Sequence, residues 1–108
     1  MKKYVHETMY ILRPDSNEDV VTNLTTKFET LLRDTGAIEI QVQNLGKKRL
    51  AQPIKKQRDG IYILMTYQCD GSQIAVLERS MRITEEVIRY MTLKLEIKEK
   101  PAKVASND

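Results

Sequence analysis

Residues 38–67, IEIQVQNLGKKRLAQPIKKQRDGIYILMTY, decide the fold. Ile38, Ile40 and Val42 alternate with Glu39, Gln41 and Gln43, the period-two pattern of a half-buried strand with one polar face. The strand runs on through Leu45 to Gly46, where a bulge or bend is expected. At the other end of the stretch, Ile61–Tyr67 is an unbroken apolar and β-prone run that suits a central strand. The basic segment between them reads as a hairpin.

Working outward, Tyr4–Leu12 is a strand stopped by Arg13-Pro14, because proline cannot pair in a central ladder. Asp15 or Ser16 can cap the following helix, with Glu18 and Asp19 complementing its dipole. Val21, Leu24, Phe28 and Leu31 share one helical face, and the helix should close near Arg33 with Gly36 as its stop. On the other side, Asp70-Gly71-Ser72 punctuates the chain before a second helix carrying Ile74, Leu77 and Met81. A last strand spans Val87–Ile97, with Met91, Leu93 and Leu95 on one face and Tyr90, Thr92 and Lys94 on the other. Residues 1–98 therefore form one domain, and 99–108 are expected to be a flexible tail. The order β-α-β-β-α-β is the split βαβ, or ferredoxin-like, pattern of the α+β class. Right-handed crossovers place both helices on one face of a four-stranded antiparallel sheet and leave the other face free.

Length and composition agree with one domain: 108 residues, 41% hydrophobic and 31% charged. The lone cysteine, Cys69, excludes an internal disulfide, and with a single histidine, His6, there is no multi-histidine metal centre. No apolar run approaches the roughly 20 residues of a bilayer span, and Met1-Lys2-Lys3 has no apolar core behind it. A soluble intracellular protein is expected, with no membrane partner. Catalysis finds little support. Glu85 and Glu86 point to opposite faces if the strand begins there, and neither a phosphate loop nor a nucleophile elbow is present. His6 reads as an exposed or hydrogen-bonded surface histidine rather than a base, and Cys69 as a buried inert thiol. No enzyme activity, cofactor, metal or small-molecule substrate is expected.

Charge says more. The net charge is +3, yet Gly46–Gly60 alone holds Lys47, Lys48, Arg49, Lys55, Lys56 and Arg58 against Asp59. That segment is +5, so the remainder is net acidic. Lysines on a solvated hairpin also blunt an exposed edge, and that is the bland explanation. Two details favour a polyanion instead: the cations flank a rigid Pro53, and Lys2, Lys3, Arg89 and Lys94 lie on strands of the same sheet. Such a sheet is a platform for a phosphate backbone. Base stacking on the open sheet would need aromatic residues on the third strand, but Asp59-Gly60-Ile61-Tyr62-Ile63-Leu64-Met65 supplies aliphatics.

The stretch LGKKRLAQPIKK (Leu45–Lys56), with YILM at Tyr62–Met65, VIRYM at Val87–Met91, Glu7 and Pro14-Asp15, resembles the bacterial small-subunit ribosomal protein six family over roughly residues 2–97. The resemblance implies a non-catalytic ferredoxin-like domain that binds 16S-type ribosomal RNA (rRNA) together with ribosomal protein eighteen of the small subunit. By position, Lys47, Lys48 and Arg49 correspond to the family's basic hairpin cluster, Arg89 to the arginine of its last-strand motif, and Lys3 to its basic N-terminus. The family usually has tyrosine where this chain has His6 and Gln52; histidine still stacks or donates a hydrogen bond, while glutamine only donates or accepts. The expected RNA-binding set is Lys2, Lys3, His6, Lys47, Lys48, Arg49, Lys55, Lys56, Arg89 and Lys94. The compartment implied is the cytoplasm, or the plastid stroma for an organellar chain. The alternative is a homo-oligomeric ferredoxin-like regulatory or interaction module whose open sheet pairs with a second copy.

Overall fold

A computed structural model describes residues 3–95 of the chain. Lys2, Ile97 and the tail at 99–108 lie outside the described residues. Strand β1 (Tyr4–Leu12) is followed by helix α1 (Glu18–Asp34), strands β2 (Ile38–Ile54) and β3 (Gln57–Cys69), helix α2 (Ser72–Arg82) and strand β4 (Val87–Lys94). The sheet order is β2-β3-β1-β4, with every neighbouring pair antiparallel. This is the ferredoxin-like arrangement, with β2 and β4 at the edges.

Alternation along β1 and β3 sorts their side chains onto two faces. Tyr10 and Leu12 from β1, with Ile63, Met65 and Tyr67 from β3, meet Phe28 and Leu32 of α1 and Leu77 and Met81 of α2 in one core. Full burial of each such side chain stabilises by roughly 1.5–3 kcal/mol before entropy is counted. The stripe on α1 continues from Phe28 to Leu32; Leu31, expected on that face, is only half-buried at its flank.

Helix α1 is capped by Asn17, not by Asp15 or Ser16. Asn17 is extended (φ −80°, ψ 174°), and its side chain accepts from the Val20 amide at 2.9 Å. Asp15 is engaged with Arg13 at 3.3 Å and stands two residues before the cap position. Glu18 and Asp19 occupy the first turn as expected, and Gly36 follows the helix at φ +113°.

The strands are longer than their hydrophobic patterns. Backbone pairing carries β2 through the basic segment to Ile54 and starts β3 at Gln57, before the apolar run begins. The expected bulge is present: the register shifts between Asn44 and Gly46, Gly46 has φ +88°, and its amide donates to Asn44 Oδ1 at 2.8 Å. Further irregularities go beyond that bulge, between Arg49 and Ile54 in the basic segment and between Ile11 and Leu12 against β4. The register also shifts between Ile38 and Gln41, Glu39 takes φ +53°, and Ile38 is left 48% exposed. Strand β4 ends at Lys94, and the Leu95 amide adds one more bond to the Val5 carbonyl at 2.8 Å.

Polar groups in the core are paired with few exceptions: Gln73 Nε2 donates to the Thr35 carbonyl at 2.8 Å, while its Oε1 has no partner. Thr8 Oγ1 lies 2.6 Å from the Tyr67 hydroxyl and 2.8 Å from Thr92 Oγ1, joining β1, β3 and β4. The Tyr10 hydroxyl lies 3.3 Å from Thr25 Oγ1 of α1. His6 is buried, not on the surface: its Nδ1 lies 3.0 Å from the Tyr4 carbonyl and 3.4 Å from Cys69 Sγ, and its ring stacks against Tyr67. Cys69 is buried as expected, and burial pushes its thiol pKa up.

Burial also pushes Tyr10 and Tyr67 up to about 12, from 10.0 for a free phenol. The native state then holds these protons more tightly than the unfolded chain. Their contribution to stability is complete below pH 10 and is lost as pH rises towards 12. The melting temperature should therefore stay level up to about pH 10 and fall above it. A phenolate absorbance titration of the five tyrosines should show two that ionise late, and Tyr67→Phe should remove one of them.

Candidate nucleic-acid interface

Beyond its pairing with Leu12, β3 leaves the four-stranded sheet and runs on with β2 alone as a two-stranded arm. Register places Lys47 opposite Ile61, Lys48 opposite Gly60 and Arg49 opposite Asp59, and the arm closes where Ile54 faces Gln57. Lys47, Lys48, Arg49, Lys55, Lys56 and Arg58 are all exposed. Lys47 and Arg49 point to one face and Lys48 to the other. Since β2 is an edge strand, both rows reach the same flank of the molecule.

Position in the sheet divides the expected RNA-binding residues into two groups. Arg89 lies opposite Ile11, which is opposite Tyr62, which is opposite Gly46, so Arg89 shares the arm's end of the sheet. Lys94 pairs with His6 five residues further along β4, roughly 17 Å away. There its Nζ sits 4.0 Å over the Tyr4 ring, and Lys3 precedes β1 at that same end. The arm's cations have no carboxylate partner among the described residues: the ion pairs join Arg13 to Asp15 and Glu85, and Arg33 to Glu29. Six exposed positive side chains on the arm, none in an ion pair among the described residues, can neutralise phosphates without first breaking a salt bridge.

The face away from the helices is free only in part. Leu50 is 7% exposed and packs with Ile11 and Ile88, and Ile54 and Tyr62 lean against them. This second cluster seats the arm on the sheet. Gly60 makes the close approach possible, since a Cβ there would stand 2.3 Å from Ile11 Cγ2 and 3.4 Å from the Leu12 carbonyl. Beside the cluster, Glu7, Met9, Ile11, Arg89, Met91 and Leu93 line a shallow apolar groove between β1 and β4. Met91 and Leu93 are each 51% exposed. The alternation of β4 separates these two from Tyr90 and Thr92, but nothing in that pattern says which row faces water.

The sequence profile of the family Ribosomal protein S6 matches residues 5–94. The chain belongs to the ribosomal protein S6 family. Small ribosomal subunit protein bS6 of Trichormus variabilis is 55% identical over 102 residues, which cover 94% of each chain. The bS6 protein of Trichodesmium erythraeum is 52% identical over 101 residues, 94% of this chain and 86% of that one. The crystal structure of 30S ribosomal protein S6 from Thermotoga maritima superposes with a TM-score of 0.81 at 29% identity, covering 87% of this chain and 89% of that chain. These relatives are ribosomal proteins of the small subunit, not enzymes.

The arm's seating can be tested at one atom. Gly60→Ala drives a methyl into the stiff, β-branched Ile11 and should destabilise the fold by roughly 1–3 kcal/mol. Denaturant unfolding measures it, and an unchanged midpoint would show that the arm does not lie against Ile11.

Proposed function

We propose that this small-subunit ribosomal protein binds 16S-type rRNA through the base of its basic arm, together with ribosomal protein eighteen. The observation that carries the reading is the set of exposed, unpaired cations Lys47, Lys48 and Arg49 on an edge strand, with Arg89 at the same end of the sheet. Phosphates are recognised by charge and reach, and an edge strand offers both without disturbing the core. Lys3 and Lys94 stand at the far end and serve a longer RNA contact. His6 is left out of this surface, because a ring that is 6% exposed offers nothing for a base to stack on. The relatives come from bacteria, which supports a bacterial-type ribosome in the cytoplasm.

A protein partner fits the remainder of the open face. The unpaired edge of β2 and the groove beside Met91 and Leu93 both offer surface that a second chain can cover. RNA affinity should therefore be weak for the chain alone and rise when ribosomal protein eighteen is added. Titration with and without that partner decides it; equal affinities would sink the idea and leave a self-associating module as the better reading.

Changing Lys47 and Lys48 together to Ala should weaken rRNA binding. The slope of log affinity against log salt should fall by roughly 1–2, about 0.9 for each lost phosphate contact. Folding stability should move by only a few tenths of a kcal/mol, as expected for exposed charges. A solvated arm with no RNA role predicts an unchanged slope, and binding measured at several salt concentrations separates the two.

A further inference from the structure

The arm ends in a two-residue turn whose central residues are Lys55 and Lys56. Both have left-handed backbones, at φ +48° and φ +68°. Positive φ at both central positions is the signature of a type I′ hairpin turn, for which Asn-Gly is the unstrained choice. A lysine gains nothing locally in either place. Its side chain makes no hydrogen bond there that would stabilise the left-handed state, and a Cβ crowds the following carbonyl. Of the three non-glycine residues with positive φ, two are therefore adjacent lysines at the most outlying point of the arm. Both are exposed, and neither has a carboxylate partner among the described residues. An observed backbone outlier of this kind points towards function when the stabilising residues are so readily available.

We propose that the Lys55–Lys56 turn is a second phosphate contact for RNA, in which the chain keeps two charges at a position where neutral residues would make a more stable hairpin. It rests on the RNA-binding reading above and adds a separate point of attachment. Six residues lie between Lys48 and Lys55, with a register shift between Arg49 and Ile54, and span roughly 20 Å, so the base and tip of the arm meet different phosphates. The type I′ turn sets where the two lysine backbones stand at the tip, because its twist matches that of the strands it joins. Leu50 and Gly60 hold the base itself against the sheet. The pair is thus a positioned contact rather than a loose basic tail.

Charge and strain can be separated by two double variants, each compared with wild type and with Lys47→Ala/Lys48→Ala on 16S-type rRNA over a series of salt concentrations. Lys55→Asn/Lys56→Gly removes both charges and relieves the backbone. It should raise Tm by about 4 °C or more, weaken binding about tenfold near 0.1 M salt and lower the salt slope by roughly 1–2. Lys55→Gln/Lys56→Gln removes the charges and keeps the strain, so it should lose the same binding with no gain in Tm. If Lys55→Asn/Lys56→Gly binds like wild type while Lys47→Ala/Lys48→Ala is weakened, the tip is not an RNA contact, and only this inference fails. Affinity lost for ribosomal protein eighteen, with RNA binding unchanged, would assign the turn to a protein partner and overturn it too. If wild type itself shows no salt-dependent rRNA affinity, the RNA-binding reading falls together with the tip. A lower Tm for Lys55→Asn/Lys56→Gly would show that the turn is not strained and would overturn the exchange of stability for charge.

Discussion

The approach of Ile11 to the bare Cα of Gly60 is the contact on which the functional end of this protein depends. A two-stranded ribbon in water is marginal by itself, since it buries one thin row of side chains and frays from its tip. The β2–β3 arm avoids that because Leu50 turns back over the open face and meets Ile11 and Ile88. The seating needs a flat place on β3, and glycine is the residue that leaves one. Any side chain at position 60 would occupy the volume that the Ile11 methyl fills. The strand register is fixed by the same contact, because a slip of one residue would turn Leu50 outward and bring Arg49 inward. Packing at the base of the arm thus decides where the cations at its edge are held.

An exposed edge strand with free backbone groups also invites pairing with other chains, and β2 carries the features that discourage it. Its outer rows are polar or basic from Gln41 to Arg49, a bulge at Gly46 twists it, and Pro53 removes one donor near the tip. The same lysines therefore answer to two demands, solubility of the edge and attraction for a polyanion. Their lack of acidic partners separates the two. An edge that needed only to be charged could mix signs along its length, as α1 does with Glu29 and Arg33. The arm instead leaves like charges adjacent, which is unfavourable until counterions or phosphates neutralise them.

The order of elements is legible because each depends on a local pattern: a β-prone run stopped by Pro14 in β1, period two in β2 and β4, apolar spacing of three and four in the helices, and glycine at the turns. The pattern places the cap one or two residues early, at Ser16 or Asp15, because Asp15, Ser16 and Asn17 are all capping types. What singles out Asn17 is the salt bridge that takes Asp15 away. The arm's length was hidden because backbone pairing needs no hydrophobic alternation, and Gln57-Arg58-Asp59 looks like loop until its partner strand is known. His6 was misread for a related reason. Its neighbours in sequence say nothing of Tyr67 and Cys69, which enclose it from more than sixty residues away. The basic cluster itself was plain in the sequence, but its division into two ends of the sheet required the register of β4.

That division has a consequence for how one small sheet serves more than one neighbour. Moving along β4, Arg89 stands beside the arm, Met91 and Leu93 follow in the exposed row, and Lys94 closes the strand over Tyr4. In the row on the open face a cation is followed by apolar surface, while Lys94 alternates to the other face with Tyr90 and Thr92. RNA backbone cannot use the rest of that row, since methionine and leucine offer phosphates nothing. A protein covering the apolar surface would exclude water from it while leaving Arg89 and the arm exposed at its border. Cations at such a border lie in a less polar setting than on an open surface, where their attraction for phosphate is screened less. A partner seated on β1 and β4 would then strengthen the attraction of the β2 cations for phosphate without touching them, through the shape and charge that this sheet already holds.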